Sequence, residues 1–246
     1  MKTSGVRQIL LYNFPMYLSS AGILIGSLCL YLILPQRSLS TRVLLIGVFL
    51  VAFWTLSSLF VSHWIYDRSE LYRWGWLARR FPLPPDRWIV IHAGLDEVTP
   101  PIRRLFPQKQ GVALDVYDPQ EMPERSISRA RKHQSPSKSV KADLHRIPLQ
   151  NQSVSAVFLI FMIHEIRASD ARIALFSEIN RILSRCGQVI IVEHARDTLN
   201  FLAYGPGFLH FLPSWTWLTP AQLVGLRVRE CVSFTPFVKA YFLQRM

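Results

Sequence analysis

The chain has 246 residues, with 28 Lys+Arg against 16 Asp+Glu for a formal charge of +12; half of it is apolar and only 18% is charged. This balance excludes a disordered or fibrous protein, and the length admits one or two domains. The apolar residues are concentrated near the start. No charged residue stands between Arg7 and Arg37 or between Arg42 and Asp67, gaps of 29 and 24 residues, and about 20 apolar residues cross a bilayer as a helix. The spacing predicts two transmembrane helices, Phe14–Leu34 and Val43–Tyr66, apolar on every face rather than striped. The first run is longer than the apolar core of a signal peptide, and no A-x-A-type cleavage site follows it.

Six positive residues outside this hairpin (Lys2, Arg7, Arg68, Arg73, Arg79, Arg80) face two in its loop (Arg37, Arg42). The positive-inside rule then puts both termini on the cytoplasmic side of a multi-pass membrane protein. Residues 1–67 read as the membrane hairpin and 68–85 as an interfacial linker. At the exit of the second helix Trp64, Tyr66, Tyr72, Trp74 and Trp76 favour the headgroup zone, and the arginines of Leu71–Phe81 are available to anionic lipid headgroups. Cys29, Cys186 and Cys231 have no C-x-x-C spacing, so neither a metal site nor a disulfide framework is indicated. This fits a reducing compartment.

The composition changes at Pro82, and residues 86–246 read as an α/β domain. In order come a strand Trp88–Ala93, a helix Thr99–Phe106 behind which Pro100 and Pro101 suit the first turn, and a strand Gly111–Tyr117. A basic helix Glu121–His133 follows, then a continuously apolar strand Val154–Ile163, covered on both faces. Ile173, Phe176, Ile179, Ile182 and Leu183 keep a helical period over Asp170–Leu183, which Cys186-Gly187 would close before a strand Gln188–Glu193. Strands alternating with helices imply a mostly parallel sheet, whose ligands bind beyond the strands' carboxyl ends. That edge holds Gly94–Glu97, Asp115–Asp118, His164–Arg167 and Glu193–His194.

Seven Lys/Arg and one acid lie between Arg125 and Arg146. No RNA-binding motif accompanies them, so nucleic acid is not the expected partner. An anionic leaflet, worth about 1 kcal/mol per basic residue near its surface, explains the cluster more simply. The aromatic stretch Phe201–Leu218 is broken by Gly205-Pro206-Gly207 and Pro213 and is too interrupted for a third membrane helix; Arg229–Leu243 alternates as closing strands do.

Taken in order, Ala142–Val157 (ADLHRIPLQNQSVSAV) and Ser177–Glu193 (SEINRILSRCGQVIIVE), with WIVIHAGLDEVT and ALDVYDPQEM before them, resemble the class I S-adenosylmethionine-dependent methyltransferases. The likeness is to the small-molecule and quinone type with the methyltransferase 11 signature, over about residues 86–195. It implies a Rossmann-like methyltransferase sheet with helices on both faces and S-adenosylmethionine as cofactor. Gly94 would let the backbone approach the methionine moiety. His92 stands at the family's acidic position, and Asp96 and Val98 replace its later glycines. By the same resemblance Asp115, with Asp118 second, would take the ribose. Asp143, beside Leu144, would meet the adenine amino group, and Asp96 or Glu97 the cofactor's own amino group. Phe161 would lie near the sulfonium. His164 would act as general base, with Glu165 pairing Arg167 to order the loop or acting beside it, and His194 competes for the base role. In relatives the region of Phe201–Leu218 shapes the acceptor pocket, and a greasy wall suits a hydrophobic, lipid-like acceptor. The function implied is a membrane-anchored methyltransferase. The altered glycine loop keeps a second reading open, a catalytically silent Rossmann-like module with a binding or scaffolding role.

Overall fold

The computed structural model describes residues 5–35, 38–81, 83–94, 96–132 and 138–246. Lys2, Arg37, Pro82, His133 and residues 135–137, which entered the sequence reading, lie outside the described residues. There are two compact units. The first takes the described residues up to Ser69 together with Thr198–Phe208; the second takes Glu70–Asp197 with Leu209–Met246.

The first unit opens with α1 (Gly5–Tyr12), α2 (Phe14–Ile33) and α3 (Leu39–His63), which runs into a π-helical turn, Trp64–Arg68. Pro15 sits in the first turn of α2, where no backbone donor is required. Ser38 caps α3 by accepting from Thr41 N at 3.2 Å, and Asp67 accepts from Gly5 N at 2.6 Å at the start of α1. Both α2 and α3 are long and apolar enough to cross a membrane. Leu18, Ile25, Leu32, Phe49 and Phe60 on them are 64–73% exposed.

In the second unit, Trp74 and Trp76 are buried around α4 (Gly75–Arg80), and the Trp76 ring lies 4.7 Å from Phe234. The alternating part follows: β1 (Arg87–His92), α5 (Thr99–Leu105), β2 (Gln110–Asp115), α6 (Arg125–Lys132), β3 (Val140–Lys141), β4 (Val154–Ile160), α7 (Ser169–Ile182) and β5 (Leu183–His194). The chain then passes through the first unit as α8 (Thr198–Tyr204), where Phe201 meets the Trp54 ring at 5.5 Å. It returns as α9 (Trp215–Leu223), β6 (Leu226–Thr235) and β7 (Val238–Arg245). Arg196 binds both sides of the return, donating to Leu209 O at 2.6 Å and Phe211 O at 2.7 Å.

Seven strands among the described residues form one sheet in the order β3-β2-β1-β4-β5-β7-β6. The strands β1 to β5 pair in parallel, whereas β7 is antiparallel to both neighbours. Connections run outward in opposite directions from β1 and β4. Their carboxyl ends therefore diverge and leave a crevice, the place where such sheets bind ligands. The structure ends two expected elements early. The strand read as far as Ile163 stops at Ile160, because Phe161 takes φ 51° and turns the chain. The helix that Cys186-Gly187 was expected to close ends at Ile182, and Leu183 already pairs with Val154. A register shift before Ala156↔Gln188 absorbs the intervening residues.

Trp88, fully buried, lies opposite Gly111 across β1 and β2, and a Cβ at Gly111 would stand 1.9 Å from the indole. Gly111→Ala should therefore destabilise the second unit by about 3 kcal/mol, the upper end of ordinary overpacking; thermal melts monitored by near-ultraviolet dichroism check this.

Candidate active site

Two groups of side chains occupy the carboxyl edge of the sheet, one beyond β1 and β2, the other beyond β4 and β5. In the first, parallel pairing sets His92 opposite Asp115. Asp115 is bound on both oxygens: Arg131 Nη1 donates to Oδ1 at 3.0 Å and Nη2 to Oδ2 at 2.8 Å, and Tyr117 N donates to Oδ1 at 3.1 Å. Burial alone would push this carboxyl up, but Arg131 and the Tyr117 amide outweigh it and hold it below the usual range. Arg131 also donates to Ala93 O at 2.8 Å and lies over the Tyr117 ring. Ile127 closes on Gly94, where an added Cβ would meet its side chain at 3.1 Å.

His92 is buried, with Nε2 2.8 Å from Ser139 Oγ, and burial pushes its pKa down against the pull of Asp96 and Asp115. Its Nδ1 and the Thr99 hydroxyl are buried polar atoms without a hydrogen-bond partner. Asp96 accepts from Thr99 N at 2.9 Å at the start of α5. Glu97 raises the pKa of Tyr72, itself pushed up chiefly by burial. Asp118 and Asp143 each accept from the amide two residues on, Gln120 N and His145 N, both at 2.8 Å. Leu144 is buried in the core.

The second group is built on Glu193, 1% exposed at the end of β5. Its Oε1 accepts from Ile163 N at 2.9 Å, and its Oε2 lies 2.8 Å from His164 Nδ1. This fixes the short 3-10 turn Ile163–Glu165 that follows Phe161. Burial disfavours charge on His164, yet Glu193 and Glu165 outweigh it and push its pKa up to about 10. His194 lies between two rings, with Phe161 at 5.1 Å and Phe211 at 4.6 Å. Arg167 donates to Glu124 at 2.8 Å and to His210 Nδ1 at 3.2 Å, rather than pairing with Glu165.

The structure thus brings Phe161, His164, Glu165 and His194 together, and separately His92, Gly94 and Asp115. Glu124, just before α6, reaches the second group; Arg131, near its end, reaches the first. Sequence reasoning gave Arg131, Glu124 and His210 no role, and it placed Glu193 at the edge without assigning its carboxylate a task. Arg131 belonged to a basic run that looked solvated, and His210 to an aromatic stretch.

The order β3-β2-β1-β4-β5-β7-β6 with an antiparallel β7 is the observation that decides the architecture. It is the Rossmann-like methyltransferase fold. Residues 93–191 match the family model described as "Methyltransferase domain". No curated protein matches the chain significantly. Among solved structures, a SAM-dependent methyltransferase from Aquifex aeolicus is similar at 17% identity and TM-score 0.52, covering 69% of this chain and 88% of that one. The PH0226 protein from Pyrococcus horikoshii OT3 aligns at 11% identity and TM-score 0.52, over 70% of this chain and 86% of that one. Human N-acetylserotonin methyltransferase, solved with SAM, aligns at 15% identity and TM-score 0.55, over 97% of this chain and 70% of that one.

The methyltransferase-type sheet gives the Asp115–Arg131 pair a pH signature. Asp115's folded pKa is depressed, so its contribution to stability is present above the unfolded value of about 4 and is lost as pH falls through the lower folded value. Asp115→Asn should flatten the acid limb of stability against pH, as read from thermal melts of both proteins between about pH 2 and 6.

Proposed function

We propose that the protein is an S-adenosylmethionine-dependent methyltransferase, held in a membrane by α2 and α3, that acts on a hydrophobic or lipid-like small molecule. The observation that carries the reading is the His92–Asp115 pairing, which sets a carboxylate beside the Gly94 turn at the crevice of a methyltransferase-type sheet. The donor set fits the cofactor. Asp115 and Asp143 are acceptors for hydroxyl and amino groups, and His92 Nδ1 and the Thr99 hydroxyl are buried polar atoms lacking partners. When bound, S-adenosylmethionine supplies an electrophilic methyl group on a sulfonium centre.

The chain's own contribution is placement. His92, Gly94, Asp96 and Glu97 hold the methionine end, Asp115 and Asp118 the ribose, and Asp143 and Leu144 the adenine. Phe161 walls the reacting centre. Across the crevice His164, Glu165 and His194 face the acceptor. His164, held by Glu193, stands with Glu165 and His194 as the groups that orient the acceptor and take its proton. The stacked Phe161, His194 and Phe211 rings exclude water and suit an apolar acceptor.

Membrane insertion is supported by the exposed apolar side chains along α2 and α3, since contiguous exposed apolar surface of that extent is rare in soluble monomers. The protein should stay with the membrane pellet through high-salt and alkaline carbonate washes; release by salt alone would rule out insertion.

Calorimetry of the full chain in detergent tests the cofactor. S-adenosylhomocysteine should bind, and Asp115→Ala should weaken it roughly 10–100-fold, the loss of a hydrogen bond to a charged group at about 1.5–3 kcal/mol. Arg131→Ala should bind at least as tightly as the parent, because it frees Asp115. A second reading, the catalytically silent module, is favoured by the same Arg131–Asp115 fork and by Ile127 against Gly94. Absence of binding in both the parent and Arg131→Ala would select it.

A further inference from the structure

His210 has no part in this reading, yet it shares Glu165 with His164. His164 and His210 present the same nitrogen to the same oxygen: Glu165 Oε1 lies 3.4 Å from His164 Nε2 and 3.9 Å from His210 Nε2. The two rings meet edge to face with centroids 4.9 Å apart, and one donor atom from each of the three residues lies within 4.8 Å of the others. Behind each ring stands a second carboxylate. His164 Nδ1 is 2.8 Å from Glu193 Oε2, and His210 Nδ1 is 3.8 Å from Glu124 Oε1. A carboxylate behind one imidazole nitrogen fixes the tautomer and strengthens the other nitrogen as a metal ligand.

A separate observation points the same way. Glu165 is 9% exposed, and its Oε2 is buried without a hydrogen-bond partner. A carboxylate oxygen left so in a protein interior is costly, and a cation would satisfy it.

We propose that His164 Nε2, Glu165 and His210 Nε2 form a site for one divalent transition-metal ion of the zinc type. Two imidazoles and a carboxylate leave a fourth position open. Imidazole ligands favour zinc and its neighbours over magnesium or calcium, which take oxygen shells. Tetrahedral binding at about 2.0–2.1 Å sets the donors roughly 3.3 Å apart, so the two rings close on Glu165. Coordination through Nε2 puts the His210 proton on Nδ1, which then faces Glu124 in place of Arg167. The three ligands come from the turn after β4 and the segment before α9, far apart in the chain, and so carry no local spacing. At the open position an acceptor's oxygen, nitrogen or sulfur would lose its proton more readily. That role rests on the methyltransferase reading; binding of the ion does not.

The test is titration of the tag-free, chelator-stripped full chain in detergent with ZnCl2 by calorimetry and with CoCl2 by visible absorption, with S-adenosylhomocysteine binding measured in parallel. One equivalent of Zn2+ should bind, and Co2+ should give the visible bands of a low-coordinate nitrogen–oxygen site. His210→Ala, at the half-buried ligand, and Glu165→Gln should each lower Zn2+ affinity at least 10-fold, and Glu193→Gln by about 10–100-fold. No binding at one equivalent, or Zn2+ affinity unchanged in His210→Ala, overturns the site. Either result leaves S-adenosylhomocysteine binding to judge the methyltransferase reading independently.

Discussion

A carboxylate with almost no exposure must have its charge met within the fold, because uncompensated burial of such a group is prohibitive. Glu193 meets that demand with two backbone amides and an imidazole, all from the turn that follows β4. Much of the second unit's active edge depends on this. The parallel pairing of β4 with β5 brings the turn alongside the acid. The acid, in turn, sets the orientation of His164 and the short helical turn behind Phe161. Phe161's left-handed backbone, an uncommon conformation for a bulky residue, is tolerated where Phe161 N donates to Val192 O at 2.9 Å and the ring stacks on His194.

The other half of the edge is governed by α6. This helix is short, yet its neighbour Glu124 engages Arg167 at one end and its Arg131 forks Asp115 at the other. The Arg131 fork is the bidentate, charge-assisted geometry that makes such pairs strong. With Ile127 on Gly94, α6 acts as a bar across the ends of β1 and β2. The ion pairs of the edge thus order the loops and occupy both oxygens of Asp115.

Much of this was legible in the amino-acid order. Period and composition placed β1, β2, β4 and α7 within a few residues, because buried strands and an amphipathic helix leave strong patterns. Gly94 and Asp115 were expected at the carboxyl ends of the first two strands, and the structure places them there, with His164 in the turn beyond β4. What escaped were contacts that only the folded chain creates. Leu183–Gly187 read as the close of a helix since a glycine suits a helix end; pairing of Leu183 with Val154 decided otherwise. Arg131 was hidden in a basic run, although one guanidinium of that run points inward. Tyr72, Trp74 and Trp76 looked like an interfacial belt, and the structure packs Trp74 and Trp76 into the second unit. The aromatic stretch read as one acceptor wall is divided after Phe208, its first part joining the apolar helices and its second carrying His210 and Phe211.

That division bears on how the protein can be handled. The segment Thr198–Phe208 leaves the sheet just after His194 and Arg196 and rejoins it just before His210, with Arg196 stapling the point of return. Trimming away the N-terminal hairpin to obtain a soluble fragment would orphan Phe201 from Trp54 and strip the fold-back of its companions. The greasy loop so bared would interrupt the chain between His194 and His210, inviting clumping. Domain transplants face the same knot: whoever moves the hairpin must carry the loop with it.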